Sequence, residues 1–116
     1  MNNKMFNKIS GESGERKARE YLKKQGYRII KCNYSNKIGE IDIIAYDQGV
    51  LVFVEVKYRK DDYFGLPREA VNYNKQRKIK QVATVYINQN ELFDKVIRFD
   101  VVEILGDQVA LIKNCF

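Results

Sequence analysis

The sequence predicts a single α/β domain built from two helices and five strands. Two stretches place apolar residues at helical spacing, and the segments between and after them include short runs rich in β-branched and aromatic residues that are bounded by turn residues. The chain has 116 residues, of which 45% are hydrophobic and 31% charged. That composition is typical of a globular protein, and the length suits one hydrophobic core but is too short for two. We therefore expect one domain over residues 1–116.

The first helix is expected over residues 11–25. It should end at Gly26, because glycine tolerates the left-handed backbone found at helix ends. Residues 1–9 show no clear period and are predicted to form a flexible arm. One face of the helix carries an apolar stripe that also includes a carboxylate, an unusual group at a surface that contacts a sheet. The stripe consists of Glu15, Ala18 and Leu22.

Three strands should follow, over residues 27–34, 38–46 and 50–59. The second and third are rich in β-branched and aromatic residues and are joined by Asp47-Gln48-Gly49, which predicts a hairpin. The third strand is apolar on both faces as far as Val54, which is typical of a covered central strand.

Hairpin register determines which charged side chains meet. If Gln48 and Gly49 alone form the loop, Asp42 lies opposite Glu55, and Glu40 lies opposite Lys57. Alternation along each strand would then place these four side chains on one face of the sheet. Opposed side chains have Cβ atoms roughly 4.5–5.5 Å apart, close enough for two carboxylates to share a metal ion.

The rest of the chain should form a loop, a helix and two strands. Residues 60–67 form a polar, aromatic-containing loop with the composition of a substrate-side segment. A long amphipathic helix is expected over residues 68–88, with Lys75 directed toward the sheet or its rim. After a connector, strands are predicted over residues 96–105 and 109–112.

The charge balance is basic. Lysine and arginine outnumber aspartate and glutamate by 21 to 15, and the net charge is +6. Such a charge attracts polyanions, which makes nucleic acid a natural partner. A basic protein whose charge only maintains solubility is an equally weighted alternative.

Several function classes are excluded by residue type. The chain has no histidine and no Cys-X-X-Cys pair, which removes ordinary zinc sites, Ser-His-Asp triads and Cys-His nucleophiles. The distant Cys32 and Cys115 suit a reduced, intracellular protein, although a disulfide stays open. The N-terminus shows no hydrophobic signal and no apolar run is long enough to span a membrane, so we expect a cytoplasmic protein.

The acidic pair and its neighbouring lysine predict a metal-dependent hydrolytic site. Mg²⁺ (or Mn²⁺) prefers oxygen ligands, which Asp42, Glu55 and the backbone carbonyl of Val56 could supply. Lys57 could position or deprotonate an attacking water and counter phosphate charge. Glu15 could ligate directly or through water. Without metal, carboxylates this close should raise the pKa of at least one of them.

Structural explanations compete with each of these roles. A bare carboxylate pair in a hairpin is most often a solvated salt-bridge ladder. Glu15 could instead be favoured by the dipole at a helix N-terminus. Lys75 could lie along the surface, and Arg59 and Lys60 could be ordinary charges of a strand edge. Asp100 is a weak site candidate within a segment that we expect to be structural.

The order of these motifs resembles the YraN family over nearly the whole chain, from about Gly11 to Val102. The matching motifs are Gly14-Glu15, Gly39-Glu40-Ile41-Asp42, Phe53-Val54-Glu55-Val56-Lys57-Tyr58-Arg59, the Lys75 helix and Arg98-Phe99-Asp100-Val101-Val102. That family is similar to the restriction-endonuclease-like PD-(D/E)XK superfamily and is related to archaeal Holliday junction resolvases. One departure is that Ile41 stands where the superfamily name has proline.

The resemblance implies a restriction-endonuclease-like α/β fold, with a central mixed β-sheet flanked by α-helices, and Mg²⁺-dependent nuclease chemistry. Asp42 then corresponds to the motif aspartate, Glu55 and Lys57 to the Glu-X-Lys element, and Glu15 to the first-helix glutamate.

The leading hypothesis is an endonuclease acting on DNA, with branched or structured DNA favoured over a specific sequence. Cutting two strands would need a homodimer, since one monomer offers one site. The alternative functions are a noncatalytic nucleic-acid-binding module and a small interaction protein that docks an acidic partner. The residues expected to contact nucleic acid are Arg59, Lys60, Lys75, Arg77 and Lys78.

Overall fold

The computed structural model describes residues 3–59 and 71–116, with side chains from residue 13 onward in the first of these ranges. Its elements are α1 (Asn3–Lys24), β1 (Arg28–Ser35), β2 (Glu40–Asp47), β3 (Val50–Tyr58), α2 (Tyr73–Gln89), β4 (Ile97–Leu105) and β5 (Gln108–Ile112). The predicted α/β fold is confirmed. The predicted loop at residues 60–67 lies outside the described residues.

The five strands form one mixed sheet in the order β1-β2-β3-β4-β5. β3 and β4 pair in parallel, whereas the other neighbours pair antiparallel. The parallel pair follows from chain connectivity, because the chain passes through α2 between these two strands. β3 is therefore a central strand, as its apolar sequence predicted, and residues 51–55 are all buried.

One helix covers each face of the sheet. Ala18 and Leu22 of α1 pack against one face with Val52 and Val54 of β3. On the opposite face α2 packs against Leu51 and Phe53. The α2 residues in that second core are Ile79, Val82, Ala83 and Tyr86. Alternation along β3 thus supplies both cores.

The β2–β3 hairpin has the predicted two-residue loop. Gln48 and Gly49 have φ angles of 50° and 83°, the left-handed values that a tight hairpin turn of the I′ type requires. The pairs run from Asp47↔Val50 to Ile43↔Val54. The predicted register is confirmed over these positions.

Both helix starts differ from the prediction. α1 begins at Asn3, so residues 3–9 continue the helix instead of forming the predicted arm. A helix can extend beyond the segment that shows an apolar period, and the sequence shows that period only from about residue 11. α2 begins at Tyr73, because the Asn72 side chain caps it by accepting a hydrogen bond from the Lys75 backbone N–H at 2.9 Å.

Two further expectations concern the cysteines and the membrane. In the part of the chain that the structure describes, no disulfide joins Cys32 and Cys115. Within the described residues, neither helix is long and apolar enough to cross a membrane.

Candidate active site

The candidate site lies where β2 and β3 stop pairing. The last backbone pair is Ile43↔Val54, one position short of Asp42 and Glu55. Beyond it, the Val56 backbone N–H donates to Asp42 Oδ2 at 2.8 Å. A side chain has thus replaced a backbone carbonyl as the partner of β3, which fixes the Asp42 carboxylate between the two strands.

The predicted shared face is wrong for Glu40, whereas Asp42, Glu55 and Lys57 do act on one another electrostatically. Ile41 and Ile44 both enter the core beside α2, although strict alternation would direct them to opposite faces. The alternation therefore breaks at Asp42, where the side chain turns toward the β3 backbone. Glu40 shares the neighbouring Asn33 with Glu15 of α1, and Glu55 contacts Lys75 of α2.

Glu55 is held by the second helix. Its side chain is only 6% exposed, and its Oε1 lies 2.7 Å from the Nζ of Lys75. This contact confirms that Lys75 reaches the sheet. The pair compensates a carboxylate that would otherwise be buried without an opposite charge.

The pKa of Asp42 is strongly shifted by burial and by the neighbouring carboxylates. Burial and the nearby charge of Glu55 raise the pKa of Asp42 to about 7, with Glu15 and Glu40 adding to the effect and the Val56 N–H opposing it. The expectation that crowding raises a carboxyl pKa is met at Asp42. The field at Asp42 includes all of the acidic groups predicted for the site.

The two lysines of the site differ in their titration. Burial and the neighbouring Lys75 lower the pKa of Lys57, while Glu55 and Asp42 oppose this change. Burial also acts to lower the pKa of Lys75, but the hydrogen bond and charge of Glu55 outweigh it and raise that pKa. Lys75 is therefore the more persistent cation of the two, and Lys57 is the one that loses its proton more easily.

The donor set fits a hard divalent cation only with help from water. Among the residues described, no three carboxylate or thiol groups cluster closely enough to hold a metal ion between them. Asp42, Glu55 and the Val56 carbonyl offer oxygen ligands, and Mg²⁺ commonly keeps several waters in addition. The charges of Glu55, Glu15 and Glu40 act on Asp42, and the charges of Lys57 and Lys75 interact with those of Asp42 and Glu55. Acidic groups thus outnumber basic ones in this cluster, which favours a bound cation. Glu15 would then act through water or at longer range.

The predicted nucleic-acid contacts are only partly assembled around the site. Lys78 lines a small cleft of about 120 Å³ together with Glu40 and Lys75, and Arg77 is exposed on the same helix. Arg59 instead lies 3.5 Å from the buried Glu103, a contact that accounts for it structurally. Lys60 lies outside the described residues.

Asp100 does not belong to this site. It is fully buried and accepts hydrogen bonds from the Tyr27 hydroxyl at 2.7 Å and from Arg98 Nε at 2.9 Å. Arg98 also contacts Asp47 at the hairpin end of the sheet, at 2.7 Å. This network supports the structural reading of the Arg98-Phe99-Asp100 segment.

Comparison with known proteins establishes the family. The model of the uncharacterised protein family UPF0102 matches residues 14–104. The chain belongs to this family. The matched residues include β1 to β4 and α2, together with Glu15 of α1. The match confirms the family part of the resemblance drawn from the sequence.

UPF0102 proteins of several bacteria align along nearly the full chain. One from Alkaliphilus metalliredigens is 48% identical over 96% of this chain and 100% of its own length. One from Persephonella marina is 42% identical over 97% of both chains. A third, from Lachnoclostridium phytofermentans, is 46% identical over 97% of this chain and 96% of its own. These relatives carry the family name and no stated activity.

Proposed function

We propose that this UPF0102 protein is a metal-dependent endonuclease that hydrolyses phosphodiester bonds in DNA. The observation that carries the proposal is the placement of Asp42. Its carboxylate accepts a hydrogen bond from the Val56 N–H where the pairing of β2 and β3 ends, and the charge of Glu55 acts on it. A fixed acidic group with a strongly raised pKa is uncommon outside functional sites.

The acidic side chains supply a cation site. Asp42 and Glu55 would hold Mg²⁺ or Mn²⁺ with the Val56 carbonyl, and Glu15 would contribute through water. When bound, such a cation polarises the phosphoryl group, offsets its developing charge and favours ionisation of a bound water. The Val56 N–H keeps Asp42 Oδ2 in place at 2.8 Å, so little reorganisation of this ligand is needed on binding.

The two lysines divide the remaining tasks. Lys57, whose pKa is lowered by burial and by the neighbouring Lys75, would position the attacking water or help to deprotonate it. Lys75 stays charged and holds Glu55 Oε1 at 2.7 Å. It also adds positive charge where the phosphate would lie.

DNA is the proposed substrate class on the basis of charge and resemblance. The chain carries a net charge of +6, and α2 exposes Arg77 and Lys78 beside the site. Phosphate contacts of this kind bind nucleic acid without reading its sequence. The Asp, Glu-X-Lys order is similar to that of the PD-(D/E)XK superfamily, which favours cleavage of DNA, with branched or structured forms the first to test.

One observation favours a second function, a noncatalytic nucleic-acid-binding module. The Lys75 contact already compensates the buried charge of Glu55, so the folded chain does not depend on a cation there. Such a module would bind DNA with strong salt dependence and would show no metal-dependent turnover.

The discriminating experiment incubates the protein with duplex, single-stranded, flap and four-way-junction DNA. Each substrate is tested with Mg²⁺, Mn²⁺ or EDTA, beside Asp42→Ala and Lys57→Ala. The nuclease proposal expects cleavage with metal only, lost in both variants, while DNA binding persists. Cleavage that survives both substitutions would place the activity elsewhere. Binding with no cleavage under any metal condition would favour the noncatalytic module.

A further inference from the structure

Asn33 of β1 occupies an unusual position beside the candidate site. It lies between the pairs Cys32↔Ile43 and Tyr34↔Ile41, which places it across from Asp42 on the neighbouring strand. Its φ angle is 54°, a left-handed value that is uncommon within a strand. Asparagine tolerates this conformation better than most side chains. None of the roles assigned above uses this residue.

The Asn33 amide lies between two carboxylates from different elements. With its nitrogen turned toward them, it donates to Glu15 Oε1 at 3.1 Å, with Glu15 Oε2 at 3.3 Å, and to Glu40 Oε1 at 3.1 Å. The opposite orientation would set the amide oxygen against these acceptors. An amide NH₂ has two hydrogens to donate, which matches two carboxylate partners.

This arrangement links α1 to β2. Glu15 belongs to α1 and Glu40 begins β2, and both contribute to the electrostatic field at Asp42. Like charges repel, so two carboxylates brought to one place need a donor between them. Hydrogen bonds from a neutral amide to ionised carboxylates are stronger than those between neutral groups.

We propose that Asn33 is a positioning residue that holds Glu15 and Glu40 beside Asp42 and thereby prepares the acidic site for a divalent cation. The metal part of this inference rests on the proposed function. The link between Asn33 and Glu15 does not depend on it. Asn33 acts through the carboxylates and is not assigned a contact with substrate.

The test separates the effect of the Asn33 side-chain amide from the effect of its backbone conformation. Asn33→Gly removes the amide but keeps a residue that readily adopts positive φ. Asn114→Gly is the matched control, because Asn114 also has a positive φ, 55°, and lies outside the site. Mn²⁺ affinity is measured by calorimetry for the wild type and both variants. We expect Asn33→Gly to weaken Mn²⁺ binding by about tenfold, the lower end of the range for residues that orient metal ligands, and Asn114→Gly to leave it unchanged.

A metal-free double-mutant cycle provides the second readout. Melting temperatures in EDTA are compared for the wild type, Asn33→Gly, Glu15→Ala and the double variant. If the amide holds Glu15, the melting temperature of the double variant falls by less than the sum of the two single decreases, because each substitution removes the same Asn33–Glu15 contact. A loss of general fold stability would instead be additive.

The outcomes distinguish this inference from the nuclease proposal. An additive cycle would overturn it, and so would an unchanged Mn²⁺ affinity of Asn33→Gly in a protein whose wild type binds Mn²⁺. A wild type that fails to bind Mn²⁺ counts against the nuclease proposal. In that case the cycle alone decides the role of Asn33, and non-additive losses support its link to Glu15.

Discussion

The Nζ of Lys75 lies 2.7 Å from Oε1 of Glu55, joining the first turn of α2 to the central strand of the sheet. A lysine at this position faces the positive end of the helix dipole, which disfavours it. Glu55, only 6% exposed, reverses that balance by offering a desolvated opposite charge. The contact therefore orients α2 and keeps an acidic group tolerable inside the sheet.

Replacing Lys75 should destabilise the metal-free protein. Lys75→Ala leaves the Glu55 carboxylate buried without its partner, at a cost of about 1–2 kcal/mol once the partial exposure of Lys75 is taken into account. Urea unfolding in EDTA measures this loss. Lys78→Ala, an exposed lysine of the same helix, should change the free energy of unfolding by less than about 0.5 kcal/mol. Equal effects of the two substitutions would contradict a stabilising Lys75–Glu55 pair.

Asp42 should make the stability of the metal-free protein decrease with pH. Burial and Glu55 raise its folded pKa to about 7 from an ordinary 3.8, so the folded protein holds this proton more tightly than the unfolded chain does. Stability then falls as pH rises from about 4 to about 7, because the unfolded state binds fewer protons. Asp42→Asn cannot ionise and should melt higher than the wild type at pH 8 in EDTA, with a much smaller difference at pH 5.

Asp94→Asn is the control for this pH comparison, since Asp94 is exposed and lies outside the site. Its melting temperature should differ from that of the wild type by the same amount at both pH values. If the difference in melting temperature between Asp42→Asn and the wild type does not grow between pH 5 and pH 8, the ionised Asp42 carboxylate does not destabilise the folded protein.

The contacts of Arg98 with Asp47, Asp100 and Tyr27 should contribute more to stability than an exposed arginine that lies over an aromatic ring. Arg98→Met leaves Asp100, which is fully buried, without its guanidinium partner and is expected to cost about 3–5 kcal/mol. Arg28→Met removes an exposed arginine that lies 5.3 Å over the Tyr46 ring and should cost about 0.5–1 kcal/mol. Urea denaturation compares the two. A loss below about 1 kcal/mol for Arg98→Met would contradict a structural role for the network.

Gly14 should respond to alanine with a sign that depends on Tyr58. A methyl group at Gly14 would collide with the Tyr58 hydroxyl and ring, whereas alanine in place of glycine within a helix normally stabilises by about 0.5–1 kcal/mol. In a Tyr58→Ala background, Gly14→Ala should therefore raise the free energy of unfolding. In the wild type it should lower it or leave it unchanged. The same gain in both backgrounds would mean that the close approach of Tyr58 is unimportant.

The hairpin shows what the sequence could predict. Gln48-Gly49 supplies the two left-handed residues of a tight turn, and a two-residue loop determines the register of the strand pairs next to it. The register from Asp47↔Val50 to Ile43↔Val54 followed directly. Local backbone chemistry was sufficient there, because the turn residues alone determine the loop length.

The geometry at Asp42 could not be predicted in the same way. Alternation assumes a continuous ladder, but a hydrogen bond from the Val56 N–H to the Asp42 side chain replaces the next backbone pair. Asn33 was missed because its place opposite Asp42 depends on the pairing of β1 with β2, which includes a register shift between Ile29 and Lys31. Bulges of this kind leave little signal in sequence. An asparagine within a predicted strand was the one available hint, since asparagine tolerates positive φ.

The most direct measurement is the single-turnover rate of DNA cleavage with protein in excess over a labelled junction substrate and Mg²⁺ or Mn²⁺ present. The comparison is between wild type, Glu55→Gln and Glu91→Gln, an exposed glutamate beyond α2 that controls for the preparation. We expect metal-dependent cleavage by the wild type and by Glu91→Gln, and a rate at least about 100-fold lower for Glu55→Gln, equivalent to about 2.7 kcal/mol of transition-state stabilisation. Equal rates in all three proteins, or no cleavage by the wild type with either metal, would contradict the assignment of this site as a nuclease centre.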